Sequence, residues 1–275
     1  MTSLSRLLLF GPGYCGAAIA QAAAASGHDV ITAGRTDFDA AMEALPAATH
    51  LISTVPPDRE GDPILACYGA AIATAPALRW IGYLSATSVY GDRGGIAVDE
   101  DTPPAPTNER GERRLAAEHG WERAAAGRPL DLFRLAGIYG PGRSVFVALR
   151  SGEARRIVKP GHVFGRIHRD DIVAAVLAAM RNPPARTRVL NLTDEAPAES
   201  AAVIEEAARL LGMPAPPALP FTQAYAAMSP LARSFWGENR QVLSRKTRAA
   251  LGLAWRYPSY REGLAAILAE ESGKG

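Results

Sequence analysis

The residues with the clearest chemical meaning stand near the start of the chain: Gly11-Pro12-Gly13-Tyr14-Cys15-Gly16, a G-x-G-x-x-G string. In such a string the first glycine permits a tight turn, the second lets a phosphate-bearing ligand approach the backbone, and the third lets a helix pack close to a strand. The string has that meaning only between a strand and a helix. Here an apolar run from Leu4 to Phe10 precedes it, and an alanine-rich stretch from Tyr14 to Ser26, closed by Gly27, follows it. The helix start would offer free N–H groups and a positive dipole end to a pyrophosphate. Gly11, Gly13, Tyr14, Cys15 and Gly16 are therefore expected to cradle a dinucleotide, the bland alternative being a structural glycine turn. An acidic residue for the ribose is expected about 20 residues further on, and the chain has Gly34-Arg35-Thr36 there. A guanidinium cannot accept a hydrogen bond from a 2′-hydroxyl, but it holds a 2′-phosphate by charge-assisted bonds. Arg35 thus favours NADP(H), with NAD(H) left open through Asp37 or Asp39; the alternative is that Arg35 is a solvated loop residue.

The surrounding pattern supplies the elements that position such a turn. His28 to Ala33 and His50 to Val55 read as strands, the second stopped by Pro56-Pro57, with a short helix from Asp37 to Leu45 between them. Pro63 to Ala75 reads as a helix and Arg79 to Leu84 as a strand. Thr107 is placed to cap a helix running to about Ala126, and Leu130 to Leu135 follows as a strand. This alternation predicts a Rossmann-type α/β fold, a doubly wound parallel sheet of about five strands with helices on both faces. Beyond Gly140 the pattern loosens. Val145 to Ser151, Asp170 to Arg181, Ala198 to Leu211 and Tyr260 to Glu270 read as helices, Arg155 to Val158, Gly165 to His168 and Val189 to Leu192 as strands, and Pro214 to Pro220 as a linker. The expected division is residues 1–140, with a returning segment of about 165–192, for the dinucleotide domain, and residues 141–164 and 193–275 for the substrate part.

Composition narrows the classes. A chain of 275 residues, 48% of them hydrophobic, can bury a sizeable core. A formal charge of only +2, with both signs mixed along the chain, gives no basic stripe for nucleic acid and no membrane surface, so a small molecule is the expected partner. Cys15 and Cys67 form neither a metal cluster nor a disulfide framework, which agrees with a cytoplasmic location and no metal. The apolar start superficially resembles a secretory signal, but Gly11-Pro12-Gly13 interrupts it where a βα turn needs it.

Two longer segments carry a family resemblance. Tyr83-Leu84-Ser85-Ala86-Thr87-Ser88-Val89-Tyr90-Gly91-Asp92, followed by Arg134-Leu135-Ala136-Gly137-Ile138-Tyr139-Gly140-Pro141-Gly142-Arg143, resembles the extended short-chain dehydrogenase/reductases, the NAD-dependent epimerase/dehydratase superfamily. Ile167-His168-Arg169-Asp170-Asp171-Ile172 fits the same pattern, and within the superfamily the likeness is to its atypical subgroup. The resemblance runs from about residue 5 to about residue 255. It implies a smaller C-terminal α+β substrate lid on the Rossmann domain, cofactor contacts from Thr54, Val55, Pro56, Ser85, Ala86, Ala136, Gly137 and Ile138, a substrate lying in the cleft beside the nicotinamide, and a monomer or homodimer. It also implies a hydroxyl four residues before Tyr90 and a Y-x-x-x-K pair on the next helix, where this chain has Ala86, Arg110 and Arg114. The only lysines, Lys159, Lys246 and Lys274, each lack a tyrosine four residues earlier, so no such pair exists anywhere. In the family chemistry the tyrosine exchanges a proton with a substrate hydroxyl while the lysine lowers its pKa and holds the ribose. Arg114 could keep the charge and the ribose contact, but Arg110 cannot act as a base. The family's further βα unit after the second strand, which contacts adenine, also has no room here.

The residues left to do chemistry are few. Arg110 and Arg114 share a helix face and could point into the cleft, or Arg114 could pair with Glu118 on a solvated face as Glu109 pairs with Arg113. Thr87 or Ser85 could stand in for the missing hydroxyl if the loop shifts. Tyr90 carries useful proton chemistry, and His168 could face the substrate or bond locally at a helix start. Arg143 and Arg240 suit an anionic substrate. The sequence thus reads as an NAD(P)-binding oxidoreductase or isomerase on a small polar or sugar-like substrate with an atypical active site; the alternative is a non-catalytic NADP(H) sensor or scaffold.

Overall fold

The computed structural model describes residues 5–34 and 38–273. Arg35, Thr36 and Asp37 lie outside the described residues, so the 2′-phosphate assignment of Arg35 rests on residue type alone. In chain order the elements are β1 (Arg6–Phe10), α1 (Tyr14–Ala25), β2 (Asp29–Ala33), α2 (Phe38–Ala44), β3 (His50–Ser53), α3 (Pro63–Thr74), β4 (Trp80–Ala86), β5 (Ala97–Val98), α4 (Glu109–Ala125), β6 (Leu130–Leu135), β7 (Gly137–Tyr139) and α5 (Val145–Arg150). There follow β8 (Arg156–Val158), β9 (Arg166–His168), α6 (Arg169–Arg181), β10 (Thr187–Leu192), α7 (Ser200–Leu210), β11 (Ala218–Pro220), α8 (Phe221–Ala226), α9 (Pro230–Trp236), β12 (Gln241–Val242), α10 (Arg245–Leu251) and α11 (Tyr260–Ser272).

Six strands form one parallel sheet in the order β10-β6-β4-β3-β1-β2. The chain therefore works outward from β1 in one direction to β2 and in the other through β3, β4, β6 and β10. The order reverses between β1 and β3, which is where an open α/β sheet leaves a crevice at its carboxyl edge. With β2 at the edge, the strand that would lie beyond it is missing, as the short spacing between β2 and β3 foretells. The sheet is covered on both faces, so its strands are apolar throughout rather than alternating. Along β1, Leu7 and Leu9 face α1 and α6, while Leu8 and Phe10 face α2, α3 and α4, and all four are buried. Each such side chain contributes about 1.5–3 kcal/mol over remaining exposed. A third cluster, from Tyr139, Phe146, Leu149, Val203, Ile204 and Leu264, holds the C-terminal part together.

Several local expectations are corrected. Thr107 does not cap α4: Asn108 does, its side chain accepting from the Gly111 N–H at 3.0 Å, while the Thr107 hydroxyl donates to Glu238 at 2.8 Å. The linker read at 214–220 ends in β11, which pairs with β8, and three short helices, α8, α9 and α10, occupy residues 221–251, where the sequence pattern predicts no element. The strand at 187–192 joins the main sheet as its sixth member. Among the described residues no helix is long and apolar enough to cross a membrane.

Candidate functional site

The glycine turn lies at the carboxyl end of β1, and each glycine has its own reason to be there. Gly11 has φ +85°, in the left-handed region, and a Cβ on it would sit 2.8 Å from Thr54 Oγ1 and from a Val55 methyl. The Thr54 hydroxyl closes the turn by donating to the Gly11 carbonyl at 2.6 Å. At Gly16 a Cβ would lie 2.1 Å from the Gly11 carbonyl oxygen, so only glycine lets α1 start this close to the strand. Gly13 is different: a Cβ there would meet no atom of the chain within 4 Å, and the residue gives α1 no side-chain cap. Space and uncapped N–H groups meet there, the arrangement that suits a pyrophosphate.

From Gly13 a cleft of about 610 Å³ runs across the carboxyl edge of the sheet, within the usual range for a small-ligand site. It brings together most of the residues singled out in the sequence: Gly13, Tyr14, Cys15, Thr54 and Pro56 at one end, and Ser85, Ala86, Thr87, Ala136, Gly137 and Ile138 along the floor. Arg110, Arg114, Arg143 and Arg240 also line it. Gly11, Gly16 and Val55 support the turn from behind. A second depression of about 550 Å³, between α3 and α4, is remote from the glycine turn and holds none of the proposed chemistry.

Two candidates are not in the cleft. Tyr90 is fully buried, donates to the Asn191 side chain at 2.8 Å and has the Arg134 guanidinium 4.9 Å from its ring centre, so it serves the core. His168 is buried beside Tyr257 and Tyr139 and accepts from the Asp170 N–H at 3.2 Å, capping α6. Burial drives its pKa down to about 4, which keeps the ring neutral. Local bonding at the helix start is therefore the placement His168 adopts.

The pairing of Arg114 with Glu118 is also overturned. Arg114 reaches over the end of β4, donating to the Tyr83 hydroxyl at 2.7 Å and the Leu84 carbonyl at 3.0 Å. Glu118 turns inward: it takes two bonds from Arg134, at 3.0 and 2.7 Å, and one from the Ser85 hydroxyl at 2.5 Å. Ser85 is thereby committed to a buried carboxylate. Glu109 and Arg113 pair at 2.5 Å, as their i, i+4 spacing suggests.

The cleft is rich in proton donors and poor in bases. Tyr14 donates to the Pro141 carbonyl at 3.0 Å, and burial raises its pKa, with Arg169 and Arg143 pulling partly the other way. Cys15 is raised by burial as well, so its thiol stays protonated despite the helix start. The one carboxylate in the lining, Glu238, is filled by bonds from Thr107, Asn108 at 2.6 Å and Arg240 at 2.6 Å. Arg110 lies over the Phe235 ring at 4.4 Å, and burial together with Arg114 and Arg240 lowers its pKa without bringing it near neutrality. Sequence reasoning missed Phe235, Glu238 and Arg166, which also line the cleft. Arg166 sits on β9 opposite Gly137 of β7 and belongs to no motif.

The parallel sheet with its reversal point, the three-glycine turn and the cleft beyond it define a Rossmann-type protein of the short-chain dehydrogenase/reductase class. The chain belongs to the NAD-dependent epimerase/dehydratase family within that class, in its atypical branch. A protein of unknown function from Silicibacter pomeroyi is 41% identical in sequence, with 97% of this chain and 99% of that one covered and a TM-score of 0.87. Protein YeeZ of Escherichia coli is 31% identical over 186 residues, covering 66% of this chain and 64% of YeeZ, a little under two thirds of its length. A 3-diazoavenalumate denitrifying reductase from a Streptomyces species is 31% identical over 190 residues, covering 62% of this chain and 59% of that enzyme. More distant solved structures share the fold at 19–20% identity and TM-scores of 0.75–0.77, among them MoeE5 in complex with NAD and the human epimerase family protein SDR39U1 with NADPH. No family model matches the chain.

Proposed function

We propose that this protein binds a nicotinamide dinucleotide, NADP(H) in preference to NAD(H), and acts as a reductase on a small polar substrate. The open face of Gly13 carries the reading: in a turn whose outer glycines are required for packing, the middle glycine is left clear, and the clearance continues into the cleft. Gly13 and the first turn of α1 would hold the pyrophosphate, Arg114 the nicotinamide ribose in place of the family lysine, and Arg35 the 2′-phosphate. Residues 141–164 and 193–275 would form the substrate side, since Arg143, Phe164, Phe235, Glu238 and Arg240 line the cleft from there.

The residues present suit a carbonyl or imine substrate better than an alcohol. A reduced nicotinamide, when bound, supplies a hydride. Oxidation of an alcohol needs a group that takes the hydroxyl proton, and among the described residues the cleft has no free one: Arg110 stands at the tyrosine position, Ala86 at the hydroxyl position, and Glu238 is saturated. Reduction puts the hydride on carbon and leaves negative charge on the neighbouring oxygen or nitrogen, which fixed guanidinium groups hold well in a partly desolvated site until solvent water supplies the proton that completes the product. A reductase among the relatives supports this choice over epimerase or dehydratase chemistry. Because neither Ala86 nor Arg110 can exchange a proton as the family residues do, a protein that binds NADP(H) without turnover stands as the second reading.

Calorimetric titration with NADPH and NADH tests the reading, using the wild type, Gly13→Val and Arg35→Ala. NADPH should bind more tightly than NADH, Gly13→Val should lose both, and Arg35→Ala should erase the difference. A substrate screen following the absorbance of reduced nicotinamide then separates the two readings: turnover abolished by Arg114→Ala supports the reductase, and binding without turnover across carbonyl and imine substrates supports the sensor. If neither nucleotide binds, the proposal is wrong.

A further inference from the structure

Five arginines line the cleft, and among the described residues only Arg240 of these five has a carboxylate within ion-pair distance, Glu238 at 2.6 Å. The others can be allotted in part. Arg143 stands over Tyr14, 5.5 Å from its ring centre, at the end where the glycine turn would hold a pyrophosphate. Arg114 is tied to Tyr83 and Leu84, and Arg110 lies on Phe235. Arg166 is left over. Its strand is hydrogen-bonded to β7, with Arg166 opposite Gly137 on the cleft floor, and its guanidinium donates only to neutral carbonyls, Phe164 at 2.9 Å and Ala198 at 3.1 Å. The guanidinium also lies 5.9 Å from the Tyr260 ring centre, and Asp194, the carboxylate whose charge acts on it, makes no ion pair with it. A cation held on a cleft wall with spare donors and no ion-paired partner is poorly compensated until an anion arrives.

We propose that Arg166 is the seat for an anionic group of the substrate, so that this protein acts on a small molecule bearing a carboxylate or phosphate beside the reducible centre. The seat deepens the reductase reading and rests on it for the word substrate. The planar fork of a guanidinium matches a carboxylate with two parallel bonds, and a phosphate offers the same oxygen pair on a tetrahedral centre. Arg143 stands at Tyr14 of the glycine turn while Arg166 lines the same cleft from β9, so the seat and the pyrophosphate site do not compete for one arginine. Lysine at 166 would keep the charge and lose the fork.

Malonate and inorganic phosphate serve as probes, titrated by calorimetry into the wild type with and without saturating NADPH. Variants are Arg166→Gln, Arg166→Lys and, as a remote control on the outer end of α4, Arg123→Gln. One of the two anions should bind the wild type, and which one does identifies carboxylate or phosphate as the natural group. Arg166→Gln should weaken that anion by about tenfold or more while NADPH affinity stays unchanged, which also shows that the variant folds. Arg166→Lys should fall between, and Arg123→Gln should match the wild type. Equal anion affinity in wild type and Arg166→Gln overturns the seat, as does wild type that binds NADPH but neither anion. If NADPH fails to bind and the anion still depends on Arg166, the seat stands and the dinucleotide reading falls.

Discussion

Single residues here carry charge in places where charge is costly, and their behaviour can be read directly. Asp194 is 2% exposed, and burial raises its pKa to about 7, with Arg166 acting in the opposite direction and Asp171 in the same one. The folded carboxyl therefore keeps its proton up to about pH 7 while the unfolded one loses it near 3.8, so the native state binds more protons through that window. Stability from this group must decline as pH rises through the window. Asp194→Asn should raise the melting temperature at pH 8 relative to wild type and give no gain at pH 4, measured by calorimetric melting across that range. His50 has the opposite sign: burial, then His28, lowers its pKa to about 4, so its neutral ring contributes stability above 6.5 that is lost as pH falls toward 4. Glu118 and Arg134 form the most enclosed ion pair among the described residues, at 2.7 Å with side chains 2% and 5% exposed. Such a pair adds little over an apolar replacement of equal shape, yet removing one partner strands the other. Glu118→Ala should cost about 3–5 kcal/mol in urea unfolding. The sequence hid this pair because i, i+4 spacing points Glu118 at Arg114, and only the inward turn of the α4 face toward β6 reverses the partner.

At the level of elements, the β1 turn and α1 work as one piece. Gly16→Ala drives a methyl into the Gly11 carbonyl at 2.1 Å, backbone that cannot swing aside, so the turn must open. The expected cost is about 1–3 kcal/mol, with dinucleotide affinity lost alongside. Gly13→Val meets open space at its Cβ and sits at φ −81°, where side chains are tolerated. It should therefore melt like the wild type while failing to bind, and a parallel melting and calorimetry series on both variants checks the contrast. This element was legible in advance because strand, glycines and helix each leave a local signature. The strands β5, β7 and β12, of two or three residues, leave none, since period-two alternation needs more length to register, although β8 and β9, no longer than β7, read as strands. Arg166 was passed over for another reason: its strand was expected, but it belongs to no motif and stands two residues before His168, whose chemistry drew attention although its ring is spent on capping α6.

On the scale of the whole molecule, the six-stranded sheet ends at β2, without the strand that lies outside the second one in the 3-2-1-4-5-6 order. The wall that would face an adenine is correspondingly thin. Nicotinamide mononucleotide in its reduced form should then bind with an affinity closer to that of NADH than in a protein with the full sheet, within about tenfold, and competition calorimetry gives the ratio. The missing unit could be read from the spacing of β2 and β3, whereas the helices α8 to α10 of the C-terminal part could not, because they pack by scattered aromatic contacts such as Phe221 with Trp236 at 5.4 Å rather than by a periodic stripe. The hold of Arg114 on Tyr83 reaches further, into the optical behaviour of the protein. Trp121 is fully buried, stacked on Tyr83 at 5.5 Å, and the Tyr83 hydroxyl is held by Arg114 at the cleft wall. Any ligand that draws the Arg114 guanidinium away changes the field at that phenol and, through it, at the indole. The protein thus contains its own fluorophore wired to the binding site, and the emission of Trp121 should report occupancy of the cleft without an added dye.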